Sequence, residues 1–401
     1  MIPLETIRRA AETIRGQILR TPMIQSPSLS ETFSADIRLK LENLQITGSF
    51  KIRGAAYKLS VNRGAIGPKG VVAASAGNHA QGVALAARKA GVPAVIVMPE
   101  WVSISKQEAT RNYGGEVEIH GNSIAECLRR AEAHVRKGRT LIHPFDDPDI
   151  VAGQGTIGLE IADELPDVDV VLAPVGGGGL ISGIASALKA VRPRVKIIGV
   201  EAASCPSASE SRRKGKRVLV ASEGSIADGI SVKQIGALNF EIMQACVDEI
   251  VTVDEEHIAA AMLLLLERKK ILAEGSGAVP LAALLQGSVS VKPDSRLVLV
   301  VSGGNVDPPL LGRILAKGLI KNGRIMRIRV KLEDIPGALA GLLAAVARLK
   351  ANVLHIYHDR HTRDVPIYVT RVELELETRG PEHVAEIVDT LRHQGYAVSL
   401  R

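Results

Sequence analysis

The chain has 401 residues, 46% of them hydrophobic and only 2% aromatic, with 50 basic against 43 acidic side chains and a formal net charge of +7. That length exceeds one ordinary domain, so two or more are expected, and no apolar run reaches the roughly 18 residues of a membrane-spanning helix. Acidic residues are interspersed throughout and aromatics for base stacking are scarce, which counts against nucleic acid as a partner and leaves the basic run RRKGKR at 212–217 as a solvated loop.

Residues 1–20 carry Ile7, Ala10, Ala11, Ile14 and Ile18 at helical spacing among charges, an amphipathic helix and not a signal peptide. Cys127, Cys205 and Cys246 are widely spaced and odd in number, which suits a reducing cytoplasm and neither a disulfide framework nor a zinc site. After the turn Arg20-Thr21-Pro22, residues 37–42 read as a strand leading into TGSFKIRGA at 47–55, with helical pattern resuming over 55–61. A short buried strand at 71–75 runs into SAGNHAQG and a helix at 82–90. Strand 94–99, helix 105–113, strand 117–120 and helix 123–136 continue the alternation, which predicts a parallel sheet covered by helices on both faces. A second sheet is expected to begin near 140–142. It continues through helix 153–164, strand 168–174, four consecutive glycines at 176–179, helix 180–191, and strands 195–201, 249–253 and 297–302. Residues 257–272 form a helix whose middle is almost fully apolar, expected deep in the structure.

The character changes over 312–323. From Arg324 the pattern is strand 325–332, helix 336–350, strands 353–358 and 367–377, helix 381–394 and strand 397–400. This β-α-β-β-α-β order is the ferredoxin-like signature.

Chemistry concentrates where glycine- and polar-rich stretches directly follow apolar strands. Lys51 stands after an aromatic residue and among small ones, and a lysine amine condenses with an aldehyde only in its neutral form. Burial and the nearby positive charge of Arg53 would both lower its pKa; alone, it could equally be a surface lysine at a helix start. Four glycines between a buried strand and a helix let several backbone N–H groups converge on one anion at the helix's positive end. The GxGxxG dinucleotide fingerprint competes for this stretch, but no acidic residue follows a second strand at a convincing interval.

Taken together and in this order, SFKIRGA, SAGNHAQG, PVGGGGLISG, EGSGA and SGGN resemble the threonine/serine dehydratases. Those enzymes have the α/β, two-subdomain tryptophan-synthase-β-like fold (fold type II) and depend on pyridoxal 5'-phosphate. The likeness spans about the first 320 residues. It implies a catalytic region at 1–315, with a smaller subdomain at about 45–150 inserted in the larger one, a linker at 316–324 and a further domain at 325–401. The last, with EDIPGAL at 333–339, resembles an ACT domain, an amino-acid-sensing module. By this resemblance Lys51 holds the cofactor and serves as base, Phe50 packs on its ring, Asn78 binds its phenolic oxygen and Ser302 its ring nitrogen. Gly176, Gly177, Gly178, Gly179 and Leu180 take its phosphate. Ser75 and the amides of Ala76, Gly77, Asn78 and His79 clamp the substrate carboxylate, although His79 could equally just fill its loop. Related serine racemases carry a serine as second acid/base at the position of Ala76, which cannot transfer a proton, so racemisation should be minor. Glu201, with the carbonyl of Ala227, would hold a monovalent or divalent cation, or Glu201 would be a solvated or ion-paired carboxylate. Pro336, Gly337 and Asn352 mark an amino-acid effector site between paired modules, or the module serves assembly alone.

The implied activity is deamination of L-threonine to 2-oxobutanoate and ammonia, and of L-serine to pyruvate, by a cytoplasmic homodimer or homotetramer without membrane or nucleic-acid partners. A serine dehydratase/racemase, a hydroxyaspartate dehydratase and a non-catalytic amino-acid sensor are the alternatives.

Overall fold

Unbroken apolar runs decide the architecture. Val71–Ala74, Ala94–Met98 and Arg296–Val301 are buried almost throughout, as strands covered on both faces must be. The structure, a computed structural model, describes residues 1–360 and 366–401 and divides into two units, Met1–Asp307 and Pro308–Arg401.

The strands of the first unit are β1 (Met23–Gln25), β2 (Asp36–Leu41), β3 (Val71–Ala74), β4 (Ala94–Met98), β5 (Glu116–Ile119), β6 (Thr140–Leu141), β7 (Val170–Pro174), β8 (Lys196–Ala202), β9 (Glu249–Val253) and β10 (Arg296–Val301). They form two sheets, ordered β5-β4-β3-β6 and β1-β2-β10-β7-β8-β9. All pairings are parallel except that of β1 with β2. The four-stranded sheet is thus built from chain lying between β2 and β7. Thr140–Leu141 was expected to begin the second sheet but closes the first, beside Val71 and Val72. The chain, which leaves the larger sheet after β2, returns to it only after the helix Pro148–Glu164.

That helix packs on helix Gly179–Val191 through glycines: a Cβ on Gly183 would lie 2.5 Å from the Val151 carbonyl oxygen, and one on Gly158 2.8 Å from that of Ile184. Helix Gly275–Leu285 is buried almost throughout and has Pro280 in its interior; it was not foreseen. Helix Glu255–Lys269, expected deep, buries Ile258, Ala261, Met262, Leu263 and Leu265 but leaves Leu264 and Leu266 half-covered. The basic run is only partly loop. Arg212 to Lys214 end the helix Ser207–Lys214, and the Arg212 guanidinium donates to the Val247 and Asp248 carbonyls at 2.8 and 3.0 Å.

The second unit opens with helix Pro308–Lys321, so 316–321, expected in a linker, are helical and belong to this unit. Strands β11 (Ile325–Glu333), β12 (Asn352–Asp359), β13 (Val369–Glu377) and β14 (Ala397–Leu400) follow. They pair antiparallel in the order β12-β13-β11-β14, the ferredoxin-like arrangement, with helices Ala338–Arg348 and Pro381–His393. Val330, Leu342, Val346, Leu374, Ile387 and Leu391 make its own core. Among the described residues no helix is long and apolar enough to cross a membrane.

Candidate active site

Lys51 is the first residue of helix Lys51–Val61, and the loop before it is tied to the end of β10. Ser49 bridges Gly303, Phe50 N–H donates to the Ser302 carbonyl at 3.1 Å, and Gly304 N–H donates to that of Gly48 at 2.9 Å. The Lys51 ammonium therefore has a fixed origin. It donates to the Pro144 carbonyl at 3.0 Å and lies 5.1 Å from the Phe50 ring centroid. Burial lowers its pKa from 10.5 to about 8, against the pull of the Glu274 carboxylate.

Arg53 does not contribute to that shift as expected. It is fully buried, and its guanidinium is held by Glu42 at 2.8 Å and Glu160 at 2.6 Å, which confines its field locally. The cluster, which Lys40 joins at 2.7 Å from Glu160, anchors the helix whose first residue is Lys51. Removing one partner of such a buried set costs about 3–5 kcal/mol.

The glycine run lies between β7 and helix Gly179–Val191, with Gly178 at φ +93° as the cap. A Cβ at Gly177 would fall 2.3 Å from the Phe145 ring, and one at Gly179 2.9 Å from the Phe145 carbonyl oxygen. Close packing alone thus demands glycine at these two positions. The anion reading has separate support: no protein acceptor among the described residues takes the N–H groups of Gly176, Gly177, Gly178, Gly179 or Leu180. Five unpaired donors at a helix start fit a phosphate.

In the SAGNH stretch, between β3 and helix Asn78–Ala90, Ser75 Oγ accepts from Gly77 N–H at 3.2 Å. Gly77 N–H is therefore occupied, while those of Ala76, Asn78 and His79 meet no acceptor among the described residues. His79 is buried and donates from Nε2 to the Ile142 carbonyl at 2.9 Å. Burial, then the Lys51 charge, lowers its pKa to about 3, so it is a neutral strut between β6 and this loop. Ser302 is buried, and its hydroxyl reaches the Ser276 carbonyl only at 3.4 Å.

Three groups in contact with Lys51 or Asn78 carry no role in the sequence reading. The loop after β6 supplies Pro144, Phe145 and His143, whose Nδ1 accepts from Asp146 N–H at 2.8 Å. Glu274 accepts from Asn78 Nδ2 and Ser276 Oγ, both at 2.7 Å. Burial, then Asp228, raises its pKa to about 7, opposed by those hydrogen bonds and Lys106. Asn305 Nδ2 donates to Asn78 Oδ1 at 2.7 Å. Glu274 stands in EGSGA and Asn305 in SGGN, so the motifs held the signal although neither residue had a stated task.

Glu201, expected to hold a cation, is otherwise engaged. Glu201 is buried and accepts from Ala208 N–H, Ser209 N–H and Ser209 Oγ at 2.7, 2.8 and 2.9 Å. Three of a carboxylate's roughly four acceptor sites are taken up by the start of helix Ser207–Lys214, and burial raises its pKa to about 7. The Ala227 carbonyl accepts from Ile230 N–H at 3.1 Å. Among the described residues no three His, Cys, Asp or Glu side chains gather as a metal site. Pro336 and Gly337 are exposed where β11 turns into helix Ala338–Arg348, and Asn352 begins β12.

Residues 14–303 match the family model described as pyridoxal-phosphate dependent enzyme. The chain is 49% identical to the L-threonine ammonia-lyase of Thermotoga maritima over 401 residues, the whole of both chains. Its fold is similar to a maize serine racemase (TM-score 0.75, 35% identity, 79% of this chain and 97% of that one). It is also similar to the processed form of threonine deaminase isoform 2 from Solanum lycopersicum (TM-score 0.72, 35% identity, 78% of this chain and 86% of that one).

Proposed function

The chain belongs to the pyridoxal-phosphate dependent enzyme family, and we infer that it deaminates L-threonine to 2-oxobutanoate and ammonia. The observation that carries this reading is Lys51, a half-buried lysine with a depressed pKa. Its loop is bridged to SGGN through Ser49 and Gly303, and its amine donates to the Pro144 carbonyl, next to the Phe145 that packs on the glycine run. Pyridoxal phosphate, when bound, supplies the electron sink that acidifies the substrate Cα–H and lets the β-hydroxyl depart.

The chain's own residues do the rest. The amides of Gly176, Gly177, Gly178, Gly179 and Leu180 hold the phosphate, and Phe50 packs on the ring. Asn78 meets the phenolic oxygen. Ser302 meets the ring nitrogen with a hydroxyl, which does not stabilise a protonated ring as a carboxylate would, and so favours prompt loss of the β-substituent. The substrate carboxylate is taken by Ser75 and the amides of Ala76, Asn78 and His79, with Gly77 bracing Ser75. Lys51 attaches the cofactor and takes the Cα proton; at a pKa of about 8 roughly a tenth of the free amine is neutral at pH 7, against far less than a hundredth for an ordinary lysine. Ala76 offers no proton on the opposite face, so elimination proceeds without appreciable racemisation. L-Serine, lacking only a methyl, is a second substrate.

The ferredoxin-like unit would act as an ACT-type sensor, with an amino-acid effector at Pro336, Gly337 and Asn352 between paired copies, in a homodimer or homotetramer. For Glu201 the helix-capping role is the better supported one. Wild type is expected to release ammonia and 2-oxobutanoate from L-threonine, and Lys51→Ala neither. Product release by Lys51→Ala at the wild-type rate would remove the basis of this assignment.

A further inference from the structure

We propose that Asn305 and Glu274 are positioning residues that decide which end of the Asn78 carboxamide faces the cofactor; this rests on the reading of Asn78 as a cofactor contact. A carboxamide has two ends alike in shape and opposite in chemistry, so its orientation must be imposed by neighbours. Here the imposition starts at Thr47, whose backbone carbonyl can only accept. Asn305 Nδ2 donates to it at 2.8 Å and to Asn78 Oδ1 at 2.7 Å, with Gln81 Oε1 a distant third at 3.4 Å. Both Asn305 hydrogens are thus in use. The oxygen end of Asn78 is thereby occupied, and its Nδ2 donates to Glu274 Oε1 at 2.7 Å. One N–H of Asn78 remains for a ligand. What the site presents is therefore a donor, suited to the ionised phenolic oxygen of the cofactor.

Glu274 keeps its acceptor role whether or not it carries a proton. Its Oε1 also accepts from Ser276 Oγ at 2.7 Å, so a proton on the acid belongs on Oε2. The backbone leaves room at both ends of the relay. Gly48 has φ +70°, and a Cβ there would lie 2.3 Å from Asn305 Oδ1; a Cβ on Gly303 would lie 2.5 Å from Glu274 Oε1. These glycines belong to the segments that carry Lys51 and Ser302, so the relay joins the same loops that hold the reacting amine.

Four variants test the proposal through cofactor affinity of the apoenzyme, titrated with pyridoxal phosphate, and the visible absorption band of the holoenzyme. Asn78→Ala is the reference. Asn305→Asp keeps shape but turns acceptors toward Thr47 and Asn78; Glu274→Gln keeps an acceptor while losing charge; Glu274→Leu loses both. We expect Asn78→Ala, Asn305→Asp and Glu274→Leu to bind about tenfold or more weakly, the cost of one buried unsatisfied polar group, and to shift the band alike. Glu274→Gln should restore most of the affinity that Glu274→Leu loses. A purely electrostatic role for Glu274 predicts instead that Gln is as defective as Leu, and that result overturns the relay. So does wild-type affinity and band in Asn305→Asp when Asn78→Ala is impaired. An unaltered Asn78→Ala overturns the reading of Asn78 itself. Should Asn305→Asp not fold by circular dichroism, the Glu274 pair decides.

Discussion

Lys51 is useful because it is badly placed as a charge. Burial lowers its pKa to about 8 while Glu274 pulls the other way. The sign of the consequence is fixed: the unfolded lysine titrates near 10.5, so holding a protonated amine in the fold carries its full cost below about pH 8 and none above 10.5. Lys51→Met should therefore make the cofactor-free protein more stable at pH 7 by up to about 3 kcal/mol, with the gap closing at high pH. Urea denaturation of both apoproteins across pH checks this, and equal stability at pH 7 would mean that the amine is solvated. Lysine, glycine run and Ser302 were legible because each sits in a short contiguous motif. Glu274 was not, since its task depends on Asn78, which is 196 positions away. Arg53 was misjudged because sequence shows its nearness to Lys51 but not the two carboxylates that absorb its charge.

Between elements, the helices Pro148–Glu164 and Gly179–Val191 pack closely through Gly155, Gly158 and Gly183. Alanine at 183 would gain about 1 kcal/mol in helix propensity. It would also place a Cβ 2.5 Å from the Val151 carbonyl oxygen, and overpacking of that kind costs about 1–3 kcal/mol. The second effect wins, so Gly183→Ala should lower the Tm, and an unchanged or raised Tm in calorimetry would show that the helices part freely. Parallel strands were readable because burial on both faces leaves unbroken apolar runs. Helix Gly275–Leu285 escaped for a related reason: an element covered on all sides has no period to detect, and Pro280 reads as a break. Thr140–Leu141 was given to the wrong sheet because a two-residue strand carries no pairing information of its own.

The molecule as a whole has two units with separate cores, one built around the parallel sheets and one around β11 to β14. Every residue assigned to the cofactor and substrate lies before Asp307. A chain ending there is expected to retain threonine deamination and to lose any response to free amino acids; deamination that vanishes despite a native circular dichroism spectrum would place part of the catalytic function in the second unit. The ferredoxin-like order was visible in the sequence because its six elements follow one another with short connections, whereas helix Pro308–Lys321 looked like a change of composition and nothing more. The most direct measurement is the visible absorption of the purified holoprotein before and after L-threonine, with ammonia and 2-oxobutanoate assayed in the same cuvette. The prediction is a cofactor band that shifts on threonine addition, with both products released in equal amounts by wild type and neither by Lys51→Ala. A protein that reconstitutes with pyridoxal phosphate yet leaves threonine unchanged would contradict it.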